Sequence, residues 1–174
     1  SQGVFTSVSA SGNAVWLSGQ SVKQYQVSAG GAIRIGGNGN SLFGAANGMQ
    51  TLRAVMRNPR SPHLMEADQA AVVGRAIDAE ALLSGALPAT NAAPFGTAGL
   101  ANNANDPLLQ YRGVDDTMSN SDLARQLQVV ARTIAARGTL GARRQVFFVS
   151  MGGFDTHDQQ NRQHGNLMSK LSHG

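Results

Sequence analysis

Apolar and polar positions along the 174-residue chain change period several times, and each change marks an element. Three stretches of strand-like composition, "AVWLSG", "VKQYQVS" and "GAIRIGG", are punctuated by Gly and Ser, which predicts a small β-rich region of hairpins or a meander over 1–40. From Asn40 the spacing becomes helical. Leu42, Ala46, Met49, Leu52 and Met56 form a stripe, Asn40 or Ser41 is the expected cap, and the pattern stops before Pro59. A second helix is predicted with Ser61 as N-cap, Pro62 at its first position and Gly85 at its C-terminal stop. Met49, Met56 and Met65 read as core fillers on these helices. Residues 86–119 show no period and hold Pro88, Pro94 and Pro107, which predicts a long exposed connection.

The last third is the most regular. "NSDLARQLQVVARTIAARG" predicts an amphipathic helix capped near Asn120 or Ser121 and ended by Gly138, with Leu123, Leu127, Val130 and Ile134 on one face. The apolar run "QVFFVS" at 145–150 has the composition of a strand buried on both faces of a parallel sheet. A further helix is expected from about Asp158 onward. This succession predicts an α/β fold in which 41–174 supplies helices and the central strand 145–150.

Composition narrows the function classes. Charged residues make up only 14% of the chain, and Gly, Ala, Ser and Asn take their place. The net charge of +4 comes from arginines that are scattered, with Arg143-Arg144 as the only adjacent pair, so no nucleic-acid footprint is present. Lys23 and Lys170 are the only lysines. Cysteine is absent, which excludes disulfides and thiolate metal sites. No apolar run approaches the roughly 20 residues of a membrane helix, so no membrane span is predicted. The chain opens at Ser1 without an initiator Met and stops at Gly174 inside a helical pattern, so it reads as part of one larger domain, truncated at both ends.

Candidate chemistry gathers at "MGGFDTH", after the apolar strand, since open α/β sheets bind ligands at the carboxyl ends of their strands. If the segment is extended, Asp155 and His157 project to the same side and their tips can converge on one cation; if it is helical, they diverge. Gly152 and Gly153 permit the sharp backbone path, and Asp158 would then cap the following helix. A carboxylate with an imidazole suits a divalent metal such as zinc or manganese. Spacing alone leaves a second reading equally open, in which Asp155 or Thr156 caps a helix and His157 is a surface residue. His164 lies two helical turns beyond His157, too far to grip the same ion from a straight helix, and His63 and His173 are isolated. Ser150 fails as a nucleophile elbow because Phe148 stands where G-x-S-x-G needs its first Gly. "GGNGNSLFG" has Gly39 and Gly44 at P-loop spacing, but Ala45 and Ala46 replace the Lys and Ser/Thr, so a turn is expected.

The block "RRQVFFVSMGGFDTHDQQ", together with "SGNAVWLSG", "VKQYQVS" and "IDAEALLSGAL", resembles the exported proteins grouped as domain-of-unknown-function family 1501. That family is related to the alkaline phosphatase and sulfatase superfamily. The resemblance implies an incomplete portion of an alkaline phosphatase-like parallel-sheet fold. It also implies a metal-dependent phosphate- or sulfate-ester hydrolase with Asp155 and His157 as metal ligands, zinc, manganese, calcium or magnesium as the metal, and a small-molecule ester or cell-surface substrate. It further implies an upstream twin-arginine signal and a periplasmic or cell-surface address. The acidic strand and the later His- and Asp-bearing segments that would complete such a site have no counterpart in this chain, and no nucleophile is identified. The contrasting expectation is a non-catalytic exported binding or structural protein that keeps the fold.

Overall fold

The innermost strand of the sheet is one that the hydrophobic pattern does not mark. In the computed structural model, which describes residues 3–36, 39–60, 62–100 and 105–174, "SVS" forms β1 (Ser7–Ser9), buried along its whole length. β1 pairs in parallel on one side with β2 (Tyr25–Ser28), in the register Val8↔Tyr25 and Ser9↔Gln26. On its other side it pairs in parallel with β6 (Val146–Phe148), as Ser7↔Val146, Val8↔Phe147 and Ser9↔Phe148. With β3 (Gly31–Ala32) beside β2, the sheet order is β3-β2-β1-β6. Residues 110–120 hold a separate antiparallel pair, β4 (Gln110–Arg112) and β5 (Met118–Asn120). With four helices among the described residues, the chain is a mixed α/β protein whose pairings are both parallel and antiparallel. None of the described helices is long and apolar enough to cross a membrane.

Two expectations for the strands are corrected. The first forty residues are not a run of hairpins: β1 and β2 are parallel, so residues 10–24 form the crossover that parallel neighbours require. Gln24 braces that crossover, accepting from the Ala14 amide at 2.7 Å and donating to the Gly12 carbonyl at 3.3 Å. "AVWLSG" is a 3-10 turn at Val15–Leu17, with Trp16 exposed, and among the described residues of "GAIRIGG" only Gly31–Ala32 is strand. Nor is the apolar 145–150 run central. Among the described residues β6 is an edge strand, and Val146 is 56% exposed. Composition fixes what a strand can tolerate, whereas its neighbours decide whether it is covered, and those come from 140 residues away.

The chain divides into two compact units, residues 1–31 with 86–174, and residues 32–85. The smaller unit is built on α1 (Gly48–Arg57) and α2 (Leu64–Ala86). α1 starts well after the predicted cap because Phe43, Gly44 and Asn47 have positive φ, which a right-handed helix cannot include. Leu42 and Ala45 instead bridge a tight turn, as expected for that part of the glycine-rich stretch, while Gly37 and Asn38 lie outside the described residues. Met49 is buried, its thioether lying where a side chain at Gly36 would stand. Met56 is half-buried, but Met65 is 77% exposed and is not a core residue. α2 ends one residue past Gly85, and its predicted cap Ser61 lies outside the described residues. Buried Glu80 accepts from Arg34 Nε and from the Ser84 hydroxyl, each at 2.8 Å.

In the larger unit, residues 86–119 are not a simple exposed connection. Asp106, fully buried, accepts from the Thr97 amide and hydroxyl, both at 2.8 Å, and from the Leu108 amide at 3.0 Å. It thereby starts a 3-10 turn at Pro107–Leu109 that leads into β4. From α3 (Asp122–Ala135), Gln128 donates to the Thr90 and Phe95 carbonyls and Arg132 to the Pro88 and Gly30 carbonyls. The Ser121 hydroxyl caps α3 by accepting from the Ala124 amide at 3.1 Å, as predicted. The buried face differs from the apolar stripe: Leu123 is buried, yet Ile134 is exposed, and Gln128, Arg132 and Thr133 are covered instead. Burial pushes the Arg132 guanidinium pKa down from its ordinary value. It stays charged, because arginine remains protonated in proteins.

Candidate metal pair and neighbouring pocket

Because β1, β2 and β6 run parallel, their carboxyl ends share one edge of the sheet. There the chain leaving β6 is fixed at Ser150 by Gln126 of α3, whose Oε1 accepts from the Ser150 amide at 2.8 Å while its Nε2 donates to the Ser150 carbonyl at 2.9 Å. The Ser150 hydroxyl also meets that of Ser11, just past β1. Ser150 is thus anchored as structure. Gly153 then adopts φ +94°, which only glycine takes without strain, and a Cβ there would sit in ordinary contact with Leu167 at 3.4 Å.

Residues 151–156 carry no helix, so Asp155 and His157 meet as the extended alternative requires. Asp155 Oδ2 lies 3.0 Å from His157 Nε2, with both side chains 86% exposed. The helical alternative, in which the two diverge, is not what forms. The expected cap is corrected: α4 (Gln160–His173) begins two residues later, after Gln159 at φ +50° and without a side-chain cap. Asp158 accepts from the adjacent Gln159 amide, and its carbonyl accepts from Gln163 Nε2, each at 2.6 Å. His173 lies against the Leu108 carbonyl at 3.1 Å, and His63 Nδ1 accepts from the Met65 amide at 3.3 Å. Among the described residues no group of three or more His, Asp or Glu side chains is arranged to hold a metal.

Beside the Gly-Gly turn opens a pocket of about 260 Å³ that sequence reasoning misses. Its walls are Gly152 and Gly153, Tyr111 of β4, and the α4 face carrying Gln163, Asn166, Leu167 and Lys170. α4 is held to the β4–β5 hairpin by Asn166 Oδ1, which accepts from the Val114 amide at 2.9 Å, by the Arg162–Asp115 ion pair at 3.1 Å, and by Ser169 donating to the Arg112 carbonyl. Those ties bring Lys170 Nζ to 5.3 Å from the centre of the Tyr111 ring. The spacing of 163, 166, 167 and 170 is a helical face legible in sequence, but Tyr111 lies in a stretch without period, so nothing pairs it with that face in advance.

No protein-family model matches the chain, and neither a curated protein nor a solved structure matches it.

Proposed function

We propose that this chain carries part of the metal site of an exported, metal-dependent phosphate- or sulfate-ester hydrolase-like domain of the alkaline phosphatase type, with Asp155 and His157 as two of the ligands. The observation that supports this most is the 3.0 Å separation of Asp155 Oδ2 and His157 Nε2 at the carboxyl edge of a parallel sheet. Donor atoms each about 2.1 Å from an octahedral ion and at right angles to one another lie about 3 Å apart, and about 3.4 Å apart at the tetrahedral angle of zinc. The same approach serves a direct carboxylate–imidazole hydrogen bond, which an incoming ion would replace. Zinc or manganese suits the mixed oxygen and nitrogen pair best, with calcium or magnesium the oxygen-preferring alternatives. A bound ion would act as a Lewis acid on the ester oxygen. The likeness of residues 143–160 to the exported family supports a periplasmic or cell-surface address.

The contrasting reading, a non-catalytic exported protein that keeps this fold, draws on the solitude of the pair, since two ligands hold an ion weakly. Manganese titration separates the two. Paramagnetic broadening confined to the backbone signals of about residues 153–158, and lost in Asp155→Ala and in His157→Ala, is the expected result. Elemental analysis and assays on phosphate and sulfate esters complete the test. If no metal copurifies or rebinds and both variants leave every activity unchanged, the enzymatic reading falls.

A further inference from the structure

The pocket beside the Gly-Gly turn presents donors and a cation with no acid among its walls. Lys170 has no carboxylate within ion-pair distance among the described residues; its ammonium instead lies over the Tyr111 ring. The amides of Gly152 and Gly153 donate to no protein acceptor among the described residues, and the Tyr111 hydroxyl likewise has no partner there. An ammonium that shares its lining with neutral donors and with no acid favours a compact oxyanion, because charge-assisted bonds are about twice as strong as neutral ones. The pocket volume of about 260 Å³ exceeds that of a tetrahedral anion, leaving room for the group attached to it.

We infer that this pocket is an oxyanion subsite, taking a phosphate or sulfate group with Lys170 supplying the charge and Gly152, Gly153 and Tyr111 supplying hydrogen bonds. Identifying that group as the ester of a substrate rests on the hydrolase reading above; the anion preference rests on the pocket alone. The Gly-Gly turn joins the two features, because it lines the pocket and leads within two residues to Asp155.

The test is a titration of the chain with inorganic phosphate, and separately with sulfate, in the presence of a metal chelator, following the backbone amide signals of Gly152 and Gly153. Saturable shifts at both glycines are expected, with affinity roughly tenfold weaker in Lys170→Met, the loss of one charge-assisted contact. Tyr111→Phe is expected to weaken binding about threefold, the lower range for a neutral hydrogen bond. Absence of saturable shifts in the unmodified chain overturns the proposal without recourse to any variant. So does binding that Lys170→Met leaves unchanged. Asp155→Ala with His157→Ala should bind phosphate normally under these conditions, so failure of the metal pair and failure of the oxyanion pocket are read separately.

Discussion

Two irregular segments of the larger unit, 86–109 and 149–158, are held in opposite ways. In the first, polar side chains are buried and the backbone is tied to them: Asp106 organises Thr97 and Leu108, while Gln128 and Arg132 reach out from α3 to carbonyls at Thr90, Phe95 and Pro88. In the second, the polar side chains with chemical potential stand in solvent, and the path is set by Gln126 at its start and by the backbone of Gly153. A buried polar group stabilises because leaving its partners unmet costs more than the bond itself yields. An exposed Asp–His pair has water as a ready alternative and contributes little, which leaves it available to a ligand. The difference separates residues enclosed by the fold from residues left open to solvent.

The largest break in this contrast is Asp106→Ala, which removes a buried carboxylate and leaves two amides and a hydroxyl without their acceptor. A loss of about 3 kcal/mol in urea unfolding is expected. Burial alone would raise the Asp106 pKa, but the Thr97 and Leu108 donors outweigh it and hold the carboxyl below its ordinary value. With the folded pKa depressed, its stabilisation is present above the unfolded value of about 3.9 and is lost as pH falls through the folded one. Asp106→Asn should therefore be less stable at neutral pH and show a flatter loss of stability below about pH 4. A variant whose acid profile matches the parent would remove Asp106 from that role.

Gly153→Ala comes next. It probes the second segment's backbone, where φ +94° costs a non-glycine residue about 1–2 kcal/mol. Thermal unfolding should shift downward by several degrees; an unchanged midpoint would mean that the turn relaxes freely. The smallest stability effect is expected from Asp155→Ala and His157→Ala, with unfolding midpoints indistinguishable from the parent while manganese broadening disappears. A clear drop in stability with either would make the pair structural and erase the contrast between the two segments.

Much of the outline is legible in the sequence. Ser121 as a helix cap, the helical end before Pro59, the run that becomes β6, and the glycines after it all follow from local rules, while the structure decides between the two open paths for Asp155 and His157. Such features depend on neighbours a few residues apart, where φ preferences, capping hydroxyls and side-chain alternation act directly. β1 is not legible, because "SVS" carries no apolar run and becomes an inner strand only where β2 and the distant β6 flank it. The hairpin at 110–120 and the covered Gln128 and Arg132 escape for the same reason, since the acceptors that make their burial tolerable lie 33 to 102 residues away along the chain. Lys170 over Tyr111 is a third case. The sequence by itself determined the Ser121 cap of α3 and placed at 152–153 the glycines that the path out of β6 uses. Only the tertiary structure decided which strand is inner, which polar groups are enclosed, and which pocket adjoins the pair, because burial and hydrogen-bond satisfaction are set by what packs from elsewhere in the chain.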